Sequence, residues 1–185
     1  MKDTSLKIII QKLESFITIK EIDLLHELEL QPDVQAVLVF PTDDVYLTEK
    51  QYRAIQKLVP SNEKIHSGLV RMMFGEPLVK HYCFDANSDY QVYRAGLLDG
   101  MSFLYSDNSD WIVLIDENSE NGEALFIGSP KSVKDFSEEY GSIESDRLKF
   151  EAFYQKEFTD RNVSKSHLNE MLKLTNHKFS SPADL

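Results

Sequence analysis

The sequence is poor in the residues that usually announce a chemistry. Its 185 residues include one cysteine, seven glycines and one tryptophan. A single cysteine, Cys83, excludes an intramolecular disulfide and a cysteine-rich zinc site. It lies in the apolar run His81-Tyr82-Cys83-Phe84, where the expectation is a buried small hydrophobe. The glycines are scattered, and none falls in G-x-G-x-x-G or G-x-x-x-x-G-K-[ST]. The phosphate-cradling loops of nucleotide-binding folds are therefore missing, as is the G-x-S-x-G nucleophile elbow. Long hydrophobic runs are absent as well. Stretches such as Ala36–Phe40 and Trp111–Ile115 fall far short of the roughly 20 apolar residues that a membrane-spanning helix needs. The first residues lead into an amphipathic pattern rather than a signal-peptide apolar core, which sets the expectation of a cytoplasmic protein.

Basic charge is also scarce. Twenty Lys and Arg stand against 31 Asp and Glu, a net charge of −11. The deficit is local: residues 85–146 hold three basic and fourteen acidic side chains, whereas residues 61–84 hold three and two. An acidic surface repels phosphate, so nucleic acid is excluded as a direct ligand. The same field speeds encounter with a basic protein.

The five histidines, His26, His66, His81, His167 and His177, show no H-x-x-x-H or H-x-H spacing. Asp85-Ala86-Asn87-Ser88-Asp89 imitates the start of a calcium loop, but Tyr90 stands where Gly is required and Gly96 where Glu is required. Asp116-Glu117-Asn118-Ser119-Glu120 fails likewise, with Asn121 and Ile127 at those positions. Neither a metal nor any other cofactor is expected, and no catalytic residue is assigned.

What the chain does have is a foldable pattern, with 42% hydrophobic and 11% aromatic residues. Leu6, Ile9, Ile10, Leu13, Phe16 and Ile17 make one stripe on a helix over residues 4–17. Thr18 and Glu21 form a capping box for a second helix, which Pro32 ends. Residues 34–40 read as a buried strand, and Thr48 with Gln51 as the capping box of a helix that Pro60 stops. Over residues 65–127 the apolar period shortens towards two. Strands are expected at 69–74, 80–84, 90–95, 101–105, 111–115 and 124–127, with Asp99-Gly100 and Asn121-Gly122 as turns. Helices return after Ser129-Pro130, or after Ser132 with Asp135, and Gly141 ends the first of them. Phe150, Phe153, Tyr154 and Phe158 stripe the next, and Ser164 caps a last one. The fold class is α+β: a mainly antiparallel central sheet over about residues 65–127 with N- and C-terminal helices packed on it. Residues 1–180 form one domain and 181–185 a frayed tail.

Ser109 to Asp116, with its Trp-led strand, leads through the acidic turn Asn121-Gly122-Glu123 and the strand Ala124–Ile127 to Ser132-Val133-Lys134-Asp135-Phe136. That succession resembles the late part of the SMI1/KNR4 proteins. The resemblance covers residues 109–136 only; the family's earlier motifs have no counterpart here. Many bacterial members of that family are immunity proteins, which bind and neutralise a cognate toxin. The resemblance therefore implies a mode of action rather than particular binding residues.

The charge pattern supplies those. Asp107, Asp110, Asp116, Glu117, Glu120 and Glu123 flank the strand Trp111–Ile115 and are expected to form an acidic rim that meets a basic protein partner. The reading that follows is a non-catalytic, acidic immunity protein that occludes the active site of a toxin, for example one of nuclease type. An adaptor domain without a toxin partner is the alternative, and a small carboxylate-dependent enzyme using Asp85, Asp89 or Asp99 with a histidine stands third.

Overall fold

A computed structural model describes residues 2–18, 28–73, 76–96, 101–116, 121–161 and 165–175. Helix α1 (Lys2–Glu14) is followed by a short antiparallel pair, β1 (Ile17–Thr18) and β2 (Glu29–Leu30). Thr18 is thus a strand residue opposite Glu29. Of the helix expected from there to Pro32, residues 19–27 lie outside the described residues, and its last part is instead strand β2, paired with β1. Strand β3 (Gln35–Val39) then precedes α2 (Glu49–Leu58), β4 (Lys64–Met73), β5 (Glu76–Asp85), α3 (Tyr90–Arg94), β6 (Ser102–Ser106), β7 (Trp111–Asp116) and β8 (Glu123–Gly128). The chain ends in α4 (Pro130–Tyr140), α5 (Ile143–Arg161) and α6 (Lys165–Thr175).

The fold is α+β. Six strands form one antiparallel sheet in the order β3-β8-β7-β6-β4-β5. The 65–127 window supplies five of these strands, and the sixth, β3, reaches in from the N-terminal side to close the β8 edge. Register places Leu38, Leu125, Leu114, Phe103, Gly68 and His81 in one row across all six strands. The adjacent row is Val37, Phe126, Val113, Leu104, Ser67 and Tyr82, and it belongs to the opposite face because side chains alternate along a strand.

Helices cover both faces. On the Phe126 face Trp111 stacks on Phe126 at 5.6 Å between centroids, and Phe136 of α4 lies parallel to Phe126 at 4.2 Å. Trp111, 3% exposed, is core, as the most apolar strand demands. Its replacement by alanine should cost about 3–5 kcal/mol. On the Leu125 face Phe40 meets Phe150 and Phe153 of α5, and Lys12 of α1 lies over the Tyr105 ring.

Local signals explain the element ends. The Thr48 hydroxyl accepts from Gln51 N, and Gln51 Oε1 accepts from Thr48 N at 2.8 Å, which completes the capping box. Gln51 is itself buried, and its amide reaches Pro41 O and the Tyr140 hydroxyl. Ser129 caps α4 with Pro130 in its first turn, and Gly141 ends it at φ 65°, a left-handed conformation that glycine adopts without cost.

Two further sequence expectations fail. Residues 90–94 are helical rather than a strand. One helical turn puts Tyr90 and Tyr93 on the same side, where a strand would separate them. Both then reach the 45–52 segment: Tyr93 stacks on Tyr52 at 4.8 Å and 1° and accepts from Leu47 N, while Tyr90 donates to Leu47 O. Cys83 is exposed rather than buried. Phe84 takes the inward side of β5, so its neighbour Cys83 points to the other face, which is uncovered at this edge.

Candidate functional site

Of the six acidic residues singled out in the sequence, the four that the structure describes do not share a rim. Asp116 and Glu123 are cross-strand partners at the closed end of the β7–β8 hairpin, only 2% and 1% exposed. Their strands run one residue further than the apolar pattern indicates, and α5 and α6 cover that end. Glu123 Oε1 lies 2.8 Å from His167 Nε2 of α6, and its Oε2 accepts from the Tyr154 hydroxyl of α5 at 3.2 Å. A buried carboxylate persists only where such partners replace water. Glu117 and Glu120 lie outside the described residues.

Asp107 and Asp110 belong to the opposite end, in the β6–β7 turn, and both are exposed. Three elements hold this turn. From the start of β4, Lys64 N donates to Asp107 Oδ2 at 3.0 Å, and Glu63 accepts from both the backbone and the side-chain amide of Asn108. From α1, Lys12 Nζ donates to Ser109 O beneath the Phe16 and Tyr105 rings. From α4, the Ser129 and Ser132 hydroxyls each donate to one oxygen of Asp110, while Ser129 N donates to Asp110 O at 3.1 Å. Partial burial pushes the Asp110 carboxyl up, but the two serine hydroxyls outweigh it and hold the pKa below the ordinary carboxylate value. Burial lowers the pKa of Lys12, against the raising influence of Asp110 and Glu63.

A cleft of 480 Å³ opens between this turn, the end of α2 and the outer side of α4. Five carboxylates line it, Glu63, Asp110, Asp135, Glu138 and Glu139, against two lysines. Both lysines are already paired, Lys57 with Glu139 at 2.7 Å and Lys131 with Asp135 at 2.6 Å. Asp135, Glu138 and Glu139 escaped the sequence reading as site residues because they sit in a helix rather than a turn. Their spacing around α4 was the available signal.

Round the corner of the same turn lies a second polar group. Asp107 Oδ1 is 2.6 Å from His66 Nε2, and His66 Nδ1 is 2.9 Å from His81 Nε2. The His66 ring is stacked between Tyr105 and His81, at 4.8 and 5.1 Å between centroids. Its hydrogen bond and the Lys64 amide hold the Asp107 carboxyl below its ordinary pKa. Burial and the facing His66 ring lower that of His81. Both nitrogens of His66 are engaged, so His66 is not placed to deprotonate Cys83, its cross-strand partner. Asp85 and Asp89 bracket the turn between β5 and α3 and are exposed, and Asp99 lies outside the described residues. Among the described residues no three His, Cys, Asp or Glu side chains are grouped to hold a metal ion, and no helix is long and apolar enough to cross a membrane.

No protein-family model matches the chain, and no curated protein or solved structure matches it either.

Proposed function

We propose that this chain is a non-catalytic binding protein whose acidic cleft receives a basic segment of another protein, acting in the cytoplasm as an immunity-type inhibitor of a toxin. The observation that carries this reading is the cleft at the β6–β7 turn, where five carboxylates face two lysines that are already neutralised. The turn is fixed by three elements, so docking a partner there need not order it. Residues 109–136, which resemble the SMI1/KNR4 proteins, supply part of the cleft wall, including Asp110, Lys131 and Asp135. A nuclease toxin needs a basic groove for phosphate, and a row of fixed carboxylates is a substitute ligand for such a groove.

The test uses paired affinity captures from the native cell extract with the wild-type chain and with the triple variant Asp135→Asn, Glu138→Gln, Glu139→Gln. The wild type should retain a basic protein that the variant loses, and that protein added to a purified nuclease or growth assay should be neutralised by the wild type alone. Equal retention by the two chains would remove the cleft from the interaction.

A further inference from the structure

The two edges of the sheet are not alike. β3 is overlaid by α5 and α6, whereas β5 ends the sheet and pairs with β4 alone among the described residues. An open edge presents unpaired N–H and C=O groups, and proteins guard it with proline, lysine, a bulge or a short strand. β5 is ten residues long, and its guards, Pro77 and Lys80, stand in its first half. The second half, His81-Tyr82-Cys83-Phe84-Asp85, has no proline or lysine.

Those five residues complement their own reversed order. In a two-fold antiparallel pair centred on Cys83, His81 stands opposite Asp85 of the partner subunit, Tyr82 opposite Phe84 of the partner subunit, and Cys83 opposite Cys83 of the partner subunit. Symmetry repeats the first two relations. A hydrogen bond from an imidazole N–H to a carboxylate and aromatic pairs are cross-strand combinations that stabilise an antiparallel ladder. The side chains are placed for it: His81, Cys83 and Asp85 are exposed on one face, while Tyr82 and Phe84 lie on the other as the outer rim of the Tyr52–Tyr93 aromatic cluster. His81 binds His66 through Nε2 and so keeps Nδ1 for the carboxylate. Charge favours this edge too. Residues 61–84 are the one long stretch of the sheet without an acidic excess, so two chains of net charge −11 approach here with least repulsion.

We propose that the chain forms a symmetric dimer through β5–β5 pairing in this register, which joins two six-stranded sheets into one. Sedimentation equilibrium over a concentration series should show a reversible dimer. A short bis-maleimide should link the two subunits, and it can do so only through Cys83, the sole cysteine. His81→Asp sets two carboxylates against each other on either side of the axis and should raise the dimer dissociation constant at least about tenfold. The exchange His81→Asp with Asp85→His should restore it, because each carboxylate again faces a histidine donor rather than another carboxylate. Cys83→Ser should keep the sedimenting dimer and lose the cross-link. Circular dichroism on each variant confirms the monomer fold. A chain that stays monomeric throughout, a dimer indifferent to His81→Asp, or a dimer that the reagent cannot link at Cys83 would each overturn the proposal.

Discussion

Asp110 and Asp116 bracket strand β7, yet the acid groups at its two ends are held in opposite ways. At the Asp116 end the carboxylates are buried, and Glu123 is satisfied by His167 and Tyr154 from two different helices. At the Asp110 end the carboxylate is exposed and accepts from the Ser129 and Ser132 hydroxyls at the start of α4. The cause is which helices lie over each end. α5 and α6 shut one, whereas α2 and α4 diverge at the other and leave a cleft. Negative charge at a strand end therefore reads as surface only when nothing later in the chain returns to cover it.

The largest expected effect tests the buried end. Glu123→Ala leaves the His167 imidazole and the Tyr154 hydroxyl without their shared acceptor, and removing one partner of a buried pair typically costs about 3–5 kcal/mol. Urea unfolding of the variant should show that loss, and a double-mutant cycle with His167→Ala should show strong coupling. A loss below about 0.5 kcal/mol, the scale of surface substitutions, would mean that this end is solvated after all. Asp110→Ala should cost less, about 1 kcal/mol, because it removes an exposed carboxylate whose place beside the Ser129 and Ser132 hydroxyls water can take. If Asp110→Ala proved as costly as Glu123→Ala, the contrast between the two ends would fail.

Much of the fold was legible because its signals are local. The capping box at Thr48, the Ser129-Pro130 start and the Gly141 stop each depend on residues within one turn of each other. The β-strands from 101 to 128 announced themselves through continuous apolar runs. What stayed hidden depends on pairs far apart in sequence. Nothing near Glu123 predicts His167, although the buried Tyr154 in the aromatic stripe of α5 did need a partner for its hydroxyl. The helix at Tyr90–Arg94 was masked because two tyrosines three residues apart fit the composition of a strand as well as one turn of helix. Cys83 was misread because an apolar run on an edge strand has only one covered face. The β6–β7 turn was correctly marked as acidic. Its companions on α4 were not marked as a site, since charges on a helix ordinarily face solvent without further meaning.

The histidine pair beside Asp107 offers a finer probe of the exposed end, through pH. An unfolded histidine titrates near pH 6.5, whereas His81 is held below that in the fold by burial and by the facing His66 ring. Above the ordinary value both states are neutral and the fold keeps its full stability. As pH falls below about 6.5 the unfolded chain takes up its proton first, so stability declines until the folded ring is protonated too. Asp107, held below its ordinary value, contributes above that value and loses its contribution only as pH falls through the depressed one. Unfolding free energies of wild type and His81→Gln should therefore converge towards pH 5 and separate towards pH 7.5. The same comparison with Asp107→Asn should show its difference collapsing only below about pH 4. Parallel curves for His81→Gln would show that the ring is solvated and that the stack on His66 does not perturb it.

The smallest effect on stability should come from the cleft itself, and that is what makes the cleft a fair test of binding. Asp135→Asn, Glu138→Gln and Glu139→Gln alter charges on the outer side of α4, where exposed ion pairs with lysine contribute little to stability because water screens them. The thermal midpoint should therefore barely move. Association with the captured basic partner should nevertheless slow, because the field in front of the cleft steers encounter before any contact forms. Steering is screened by salt, so the gap between wild type and the triple variant should be widest at low ionic strength and close as salt rises past about 0.15 M, where the screening length is about 8 Å. Dissociation rates should differ less than association rates, since rim charges act mostly on approach. Glu63 and Asp110 stay intact in this variant because they hold the turn, and their loss would confuse steering with unfolding. Stopped-flow association across a salt series separates the possibilities. Equal on-rates at low salt would show that the carboxylates of α4 only keep the protein in solution, and the docking surface would then have to be sought elsewhere on the molecule.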